Sequence, residues 1–121
     1  MSGNPVYAGI DIGAGLGAKI GLFDEQRELL DETLLEQTRY GGSAASLADT
    51  LAQSLESFAG QHGCRLANLR AVGVAAPGLF RANGACLLAA NLPFLSGQNL
   101  PALLCDRLKK PVGIENDANA G

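Results

Sequence analysis

The segment PVGIENDANAG (Pro111 to Gly121) runs from a strand-like apolar stretch into Asn116, Asp117 and Asn119. Short polar side chains at a strand end are well placed to meet a ligand beyond it. The Asp117 carboxylate has the chemistry to accept a proton from an alcohol. That suits phosphoryl transfer to a hydroxyl, where positioning and electrostatics carry most of the catalysis. Asn116 and Asn119 could orient hydroxyl groups. The competing reading is a helix N-cap, since Asp and Asn after a strand often open the next helix. DIGAGLGAK (Asp11 to Lys19) is the second chemical stretch. A glycine-rich turn after a strand can wrap phosphate oxygens with backbone N–H groups, Asp11 could hold a metal ion or its water, and Lys19 could add positive charge. The stretch is neither a Walker A loop nor a dinucleotide fingerprint, because a strand follows it, and a plain tight hairpin is its alternative. Asn91, in ANLPF, is either a contact for a polar ligand or a turn former.

Alternating elements must position these residues. VYAGIDI (Val6 to Ile12) reads as a buried strand, GAGLG (Gly13 to Gly17) as a turn, and AKIGLFD (Ala18 to Asp24) as the returning strand. After a turn at Asp24 to Arg27, ELLDETLLEQT (Glu28 to Thr38) fits helix or strand, and its place after a hairpin favours a third antiparallel strand. A helix follows, capped by Ser43 or Ser46, with Leu47, Leu51, Leu55 and Phe58 on one face, Asp49 near its start, and Gly60 and Gly63 at its end. LRAVGVAAPG (Leu69 to Gly78) is a short buried strand closing in a Pro-Gly turn, and ACLLAANLPF (Ala85 to Phe94) is a brief extended piece and a loop. Asn99 opens a second helix with Pro101 in its first turn and Leu103, Leu104 and Leu108 on its apolar side; Pro111 stops it, and VGIE (Val112 to Glu115) is the last strand. The expected fold is therefore an α/β mixed sheet: three leading antiparallel strands, then helix-connected parallel strands, with helices packed on it. Ligands collect at the carboxyl ends of parallel strands, where DIGAGLG, AAPG and ENDAN would converge.

Composition narrows the field. The chain has 121 residues, 47% hydrophobic and 17% charged, which describes one ordinary globular domain. A net charge of −3 with no basic block argues against nucleic acid and anionic membrane as partners. No signal peptide or transmembrane run is read, so a cytoplasmic protein is expected. Cys64, Cys86 and Cys105 are odd in number and widely spaced, which suggests buried reduced thiols.

GIDIG, VGVAAPG, AANLP and above all PVGIENDANAG, in this order along the whole chain, resemble the ROK family (repressors, open reading frames and sugar kinases) of the sugar kinase, Hsp70 and actin superfamily. The resemblance implies a ribonuclease H-like lobe of a glucokinase-like enzyme that transfers the γ-phosphoryl of ATP, with Mg2+, to a hexose. It implies that Asp117 is the catalytic base, that Asn116, Asn91 and Gly78 lie at the sugar, and that Asp11 to Lys19, with Gly13 and Gly15, forms the first phosphate loop. Residues 1–121 would be the amino-terminal lobe. The carboxy-terminal lobe, with the second phosphate loop, the adenosine pocket and in many members a zinc site, is absent from this chain; His62 and the cysteines do not match that zinc motif. The isolated chain is then expected to be inactive. The winged helix of ROK repressors is not expected, because the first strand starts close to Met1.

Two departures from the family pattern qualify this. The usual DIGGTK has a Thr beside the phosphates, whereas Asp11 to Lys19 contains no hydroxyl residue and the hairpin is longer, so Lys19 is shifted. After the Pro-Gly turn stand Leu79 and Arg81 rather than Pro and Asp. An alternative function is thus a ROK-related sugar-sensing or binding protein without kinase activity. A homo-oligomer is also expected, through an open apolar face around Val112 and Ile114 with the facing side of Val72 and Val74.

Overall fold

The structure, a computed structural model, describes residues 5–13, 17–35, 43–76, 79–80, 86–88 and 98–116. Strand β1 (Tyr7–Gly13) pairs antiparallel with β2 (Gly17–Phe23), which pairs antiparallel with β3 (Leu29–Leu35). On its other side β1 pairs in parallel with β4 (Ala71–Ala76), and β4 in parallel with β7 (Val112–Asn116), giving the order β3-β2-β1-β4-β7. A separate two-stranded ribbon, β5 (Leu79–Phe80) and β6 (Cys86–Leu88), follows β4. The chain is thus a mixed α/β lobe, and within Glu28 to Thr38 the described strand runs over Leu29–Leu35.

The period of two sets the two faces of the sheet. Ala8, Ile10 and Ile12 of β1, Ala18, Ile20 and Leu22 of β2, and Val72 and Val74 of β4 are all buried on one face. Helix α1 (Ala44–Gln61) contributes Leu47, Leu51, Leu55 and Phe58 to the same core, and α2 (Leu100–Leu108) adds Leu100, Leu104 and Leu108. Val72 and Val74 therefore lie in the core rather than on an open face, and the partly buried Val112 packs against that core. The expectation for the Ile114 side chain lies outside the described residues.

Capping explains the helix limits. Ser43 Oγ accepts the Ser46 N–H at 3.0 Å and Asn99 Oδ1 accepts the Ala102 N–H at 3.0 Å, each satisfying a donor that the first turn leaves orphaned. Asp49 is not a first-turn acid; it binds the Arg107 guanidinium and so ties α1 to α2. Gly60 sits inside α1 rather than ending it, and the helix stops at Gln61. Lys109 closes α2 in the left-handed region (φ 58°), its N–H donating to the Cys105 carbonyl at 2.8 Å. A side chain with Cβ is strained there. Lys109→Gly is therefore expected to raise stability by up to about 1 kcal/mol, measured by urea unfolding; a loss of stability would show that the Lys side chain compensates for its backbone.

The expectation of buried reduced thiols holds for Cys64 but not for Cys105, and the Cys86 side chain lies outside the described residues. Cys64 is buried, and burial pushes its thiol pKa up, whereas Cys105 is exposed on α2. His62 pairs with Asp31 of β3 at 3.0 Å and meets the Phe58 ring edge-on. Among the described residues no helix is long and apolar enough to cross a membrane.

Candidate functional site

Because β1, β4 and β7 are parallel neighbours, their carboxyl ends lie side by side. Register sets Asp11 beside Ala75, Ala75 beside Glu115, and Ala76 beside Asn116. The ends of the three motif-bearing segments thus meet at one edge of the sheet, as the alternation of elements implied. Asn116 is the last residue of β7. Asp117, Asn91, Gly78 and Gly15 lie outside the described residues.

The glycine-rich stretch forms a hairpin. Gly13 and Gly17 are the last register pair of β1 and β2, joined through residues 14–16, which lie outside the described residues. Gly17 has φ 96°, a conformation that glycine adopts without the penalty a Cβ would bring, so the hairpin requires glycine at this position. Lys19 is not in the turn. It stands two residues inside β2, directly across from Asp11. Both side chains are exposed, on the sheet face opposite the helices.

That face carries a hollow of about 630 Å³ lined by Asp11, Lys19, Glu32, Phe23, Leu29 and strand glycines. Glu32 and Phe23 escaped the sequence reading. The register Gly21↔Glu32 brings Glu32 beside the hollow, and it became visible only once Leu29–Leu35 was a strand in known register with β2. Among the described residues neither Asp11 nor Lys19 has an ion-pair or hydrogen-bond partner, and both side chains are exposed. At the amino ends of the strands a second group gathers: Arg27 lies over the Tyr7 ring at 5.0 Å, and Arg70 reaches Glu25 at 3.4 Å. A hydrogen bond with Tyr7, then the nearby Glu25 carboxylate, raise the Arg70 pKa. This group is remote along the strands from the edge where the motifs end.

The family profile described as "ROK family" matches residues 7–121. The chain belongs to the ROK family. An N-acetyl-D-glucosamine kinase from Escherichia coli O139:H28 (strain E24377A / ETEC) is 34% identical to this ROK chain over 116 residues, 94% of the chain and 35% of that enzyme. The chain therefore spans about a third of the length of the curated relatives it matches. The inorganic polyphosphate/ATP-glucomannokinase of Arthrobacter sp. strain KM superposes with a TM-score of 0.77 at 31% identity, covering 96% of this chain and 45% of that one. A ROK family glucokinase from Streptomyces griseus, solved with glucose and AMPPNP, gives 0.75 at 27% identity over 95% of this chain and 34% of that one. These relatives are sugar kinases, and the ROK chain shares their mixed α/β lobe.

Proposed function

We propose that this chain is the amino-terminal lobe of an ATP-dependent hexose kinase, bearing sugar contacts and the catalytic base. The observation that carries the reading is the common edge at the ends of β1, β4 and β7, which sets Asn116 one residue before Asp117 and next to the end of the strand leading to Gly78. Its support comes from the sugar kinases among the relatives. On this reading Asp117 takes the proton from the attacking hydroxyl while Asn116, Asn91 and Gly78 fix the sugar. The hairpin from Asp11 through Gly13 and Gly15 receives the phosphates by backbone N–H groups, and Lys19 adds a positive charge from β2.

Mg2+ binds through one or two carboxylates together with phosphates and water, and the exposed carboxylate of Asp11, near the end of β1, fits that demand. When bound, the ion would neutralise charge on the transferring phosphoryl group. We place the reaction in the cytoplasm, the compartment that supplies ATP. Zinc, where family members bind it, belongs to the portion of the relatives that this chain does not span.

A second reading, sugar sensing without phosphoryl transfer, draws on the hairpin itself: it lacks a hydroxyl side chain, and its lysine is held on a strand. ADP release coupled to a panel of hexoses, including glucose and N-acetylglucosamine, separates the two. A full-length protein carrying this lobe is expected to release ADP in the presence of one of them, and sugar binding without ADP release would favour the sensor. The 121-residue chain alone is expected to show no sugar-dependent turnover, since aligning ATP, metal and acceptor needs a second wall to the cleft. Robust turnover by the isolated chain would contradict the assignment as one lobe of two.

A further inference from the structure

Strand β3 is the outer strand of the sheet, and among the described residues nothing pairs with its free edge. Hydrogen-bond alternation shows which main-chain groups that edge exposes. The Asp24 N–H donates to the Glu28 carbonyl at 3.0 Å, so Leu22, Ile20 and Ala18, every second residue back along β2, also turn towards β3. Their register partners Asp31, Thr33 and Leu35 complete that ladder, and Glu32 and Leu34 turn outward. The Glu32 N–H agrees: it donates to Asp31 Oδ1 at 2.8 Å, while Asp31 Oδ2 meets His62 Nε2 at 3.0 Å. One carboxylate thus closes a rung of the edge and ties β3 to the end of α1. The register shift at Leu22 and Phe23 falls towards the same end. Beyond Glu32 the strand runs regularly to Leu35, with no lysine, proline or bulge, the usual guards of an exposed edge. The Glu32 carbonyl and the Leu34 N–H and carbonyl point out from it.

Beside this edge a groove of about 390 Å³ runs between β3 and α1. Thr33 borders it on the strand, Gln53, Ser54, Ser57 and Gln61 border it on the helix, and the buried Phe58 also lines it. No charged side chain lines it. A ligand that meets main-chain donors and acceptors on a strand edge, and a side-chain groove next to them, is itself an extended polypeptide. We infer that β3 takes up such a segment as an added outer strand, hydrogen-bonded to Glu32 and Leu34, with every second side chain entering the groove. Hydroxyls and amides without charge suit Ser, Thr, Asn or Gln at those positions. The intervening side chains stand on the other face beside Glu32, whose carboxylate favours Lys or Arg. The strand carries Asp31 and Glu32 and no base, so two copies of this edge repel one another, and a basic peptide is favoured over a second copy of the chain. The inference is independent of the kinase reading, which employs no residue of β3 or α1.

Amide-resolved hydrogen exchange on a full-length protein carrying this lobe tests it. The probe is a capped peptide of about six residues alternating threonine with lysine, titrated to roughly 1 mM. Saturable binding should slow exchange of the Leu34 N–H by roughly fivefold or more. Methylating the peptide amides that face β3 should abolish binding, which separates strand addition from mere occupation of the groove. Leu34→Pro removes the outward N–H and keeps the inner ladder, since proline is tolerated where an edge N–H faces solvent, and should weaken binding by roughly fivefold or more. Ser57→Arg, on the exposed side of α1, fills the groove with bulk and like charge and should do the same should Leu34→Pro fail to fold. Asp106→Asn, exposed on α2, should leave binding intact. No binding up to roughly 1 mM would overturn the inference, as would binding that leaves Leu34 exchange unchanged or tolerates the methylated amides. Leu34 protection that grows with protein concentration in the absence of peptide would make a second copy the occupant and overturn it equally.

Discussion

Asp117→Asn, in a full-length protein carrying this lobe, is expected to lower ATP-dependent hexose phosphorylation by roughly 10²-fold or more while leaving the melting temperature almost unchanged. The amide keeps the size and the capping ability of the side chain but cannot take the hydroxyl proton. If Asp117 only caps a helix, Asn serves as well as Asp, and turnover stays near wild type. Steady-state kinetics therefore separate the two readings of ENDAN that the sequence alone leaves open. Sugar affinity is expected to hold, because Asn retains a hydrogen-bonding oxygen; a large rise in KM with unchanged kcat would instead make residue 117 a binding group.

The second large effect is expected in the core. Leu51 lies at the middle of α1 and is fully buried between Leu47 and Leu55. Leu51→Ala removes buried methyl groups and leaves a cavity that the sheet, built on Ala8, Ile10 and Ile20, can only partly close. A loss of about 2–5 kcal/mol is expected, a large share of the ~5–15 kcal/mol typical of a domain. Glu56→Ala, on the exposed side of the same helix, should change stability by no more than about 0.5 kcal/mol. Urea unfolding of the two variants measures both, and a cost below about 1 kcal/mol for Leu51→Ala would mean that α1 is not anchored as described.

Much of this architecture was legible before any coordinates. The spacing of Leu47, Leu51, Leu55 and Phe58 fits only a helix packed on one face, and Ser43 and Asn99 are side chains that cap. The apolar run VYAGIDI, the glycine-rich turn GAGLG and the returning AKIGLFD led to the hairpin and hence to the edge where the motif ends meet. What stayed hidden was relational. The contrast between Val72, Val74 and the intervening Gly73 was present in the sequence, but which face the helices cover depends on how both crossovers pack. The valine face proved to be the covered one and the glycine face the bare one. Asp49 reads as a helix-dipole acid until α2 brings Arg107 to it. Lys19 reads as part of the returning strand, but only the register Asp11↔Lys19 shows that it stands directly across from Asp11. Long-range pairing decides each of these, and local residue spacing does not encode it.

The central claim is that substrates meet at the carboxyl ends of β1, β4 and β7. Its most direct test is a crystal structure of the full-length protein with a bound hexose and a non-hydrolysable ATP analogue. The account predicts a sugar hydroxyl about 2.6–3.2 Å from the Asp117 carboxylate, within reach of Asn116, and the nucleotide phosphates against the hairpin between Gly13 and Gly17. A hexose seated instead at the amino ends of the strands, beside Tyr7, Arg27 and Arg70, would contradict it.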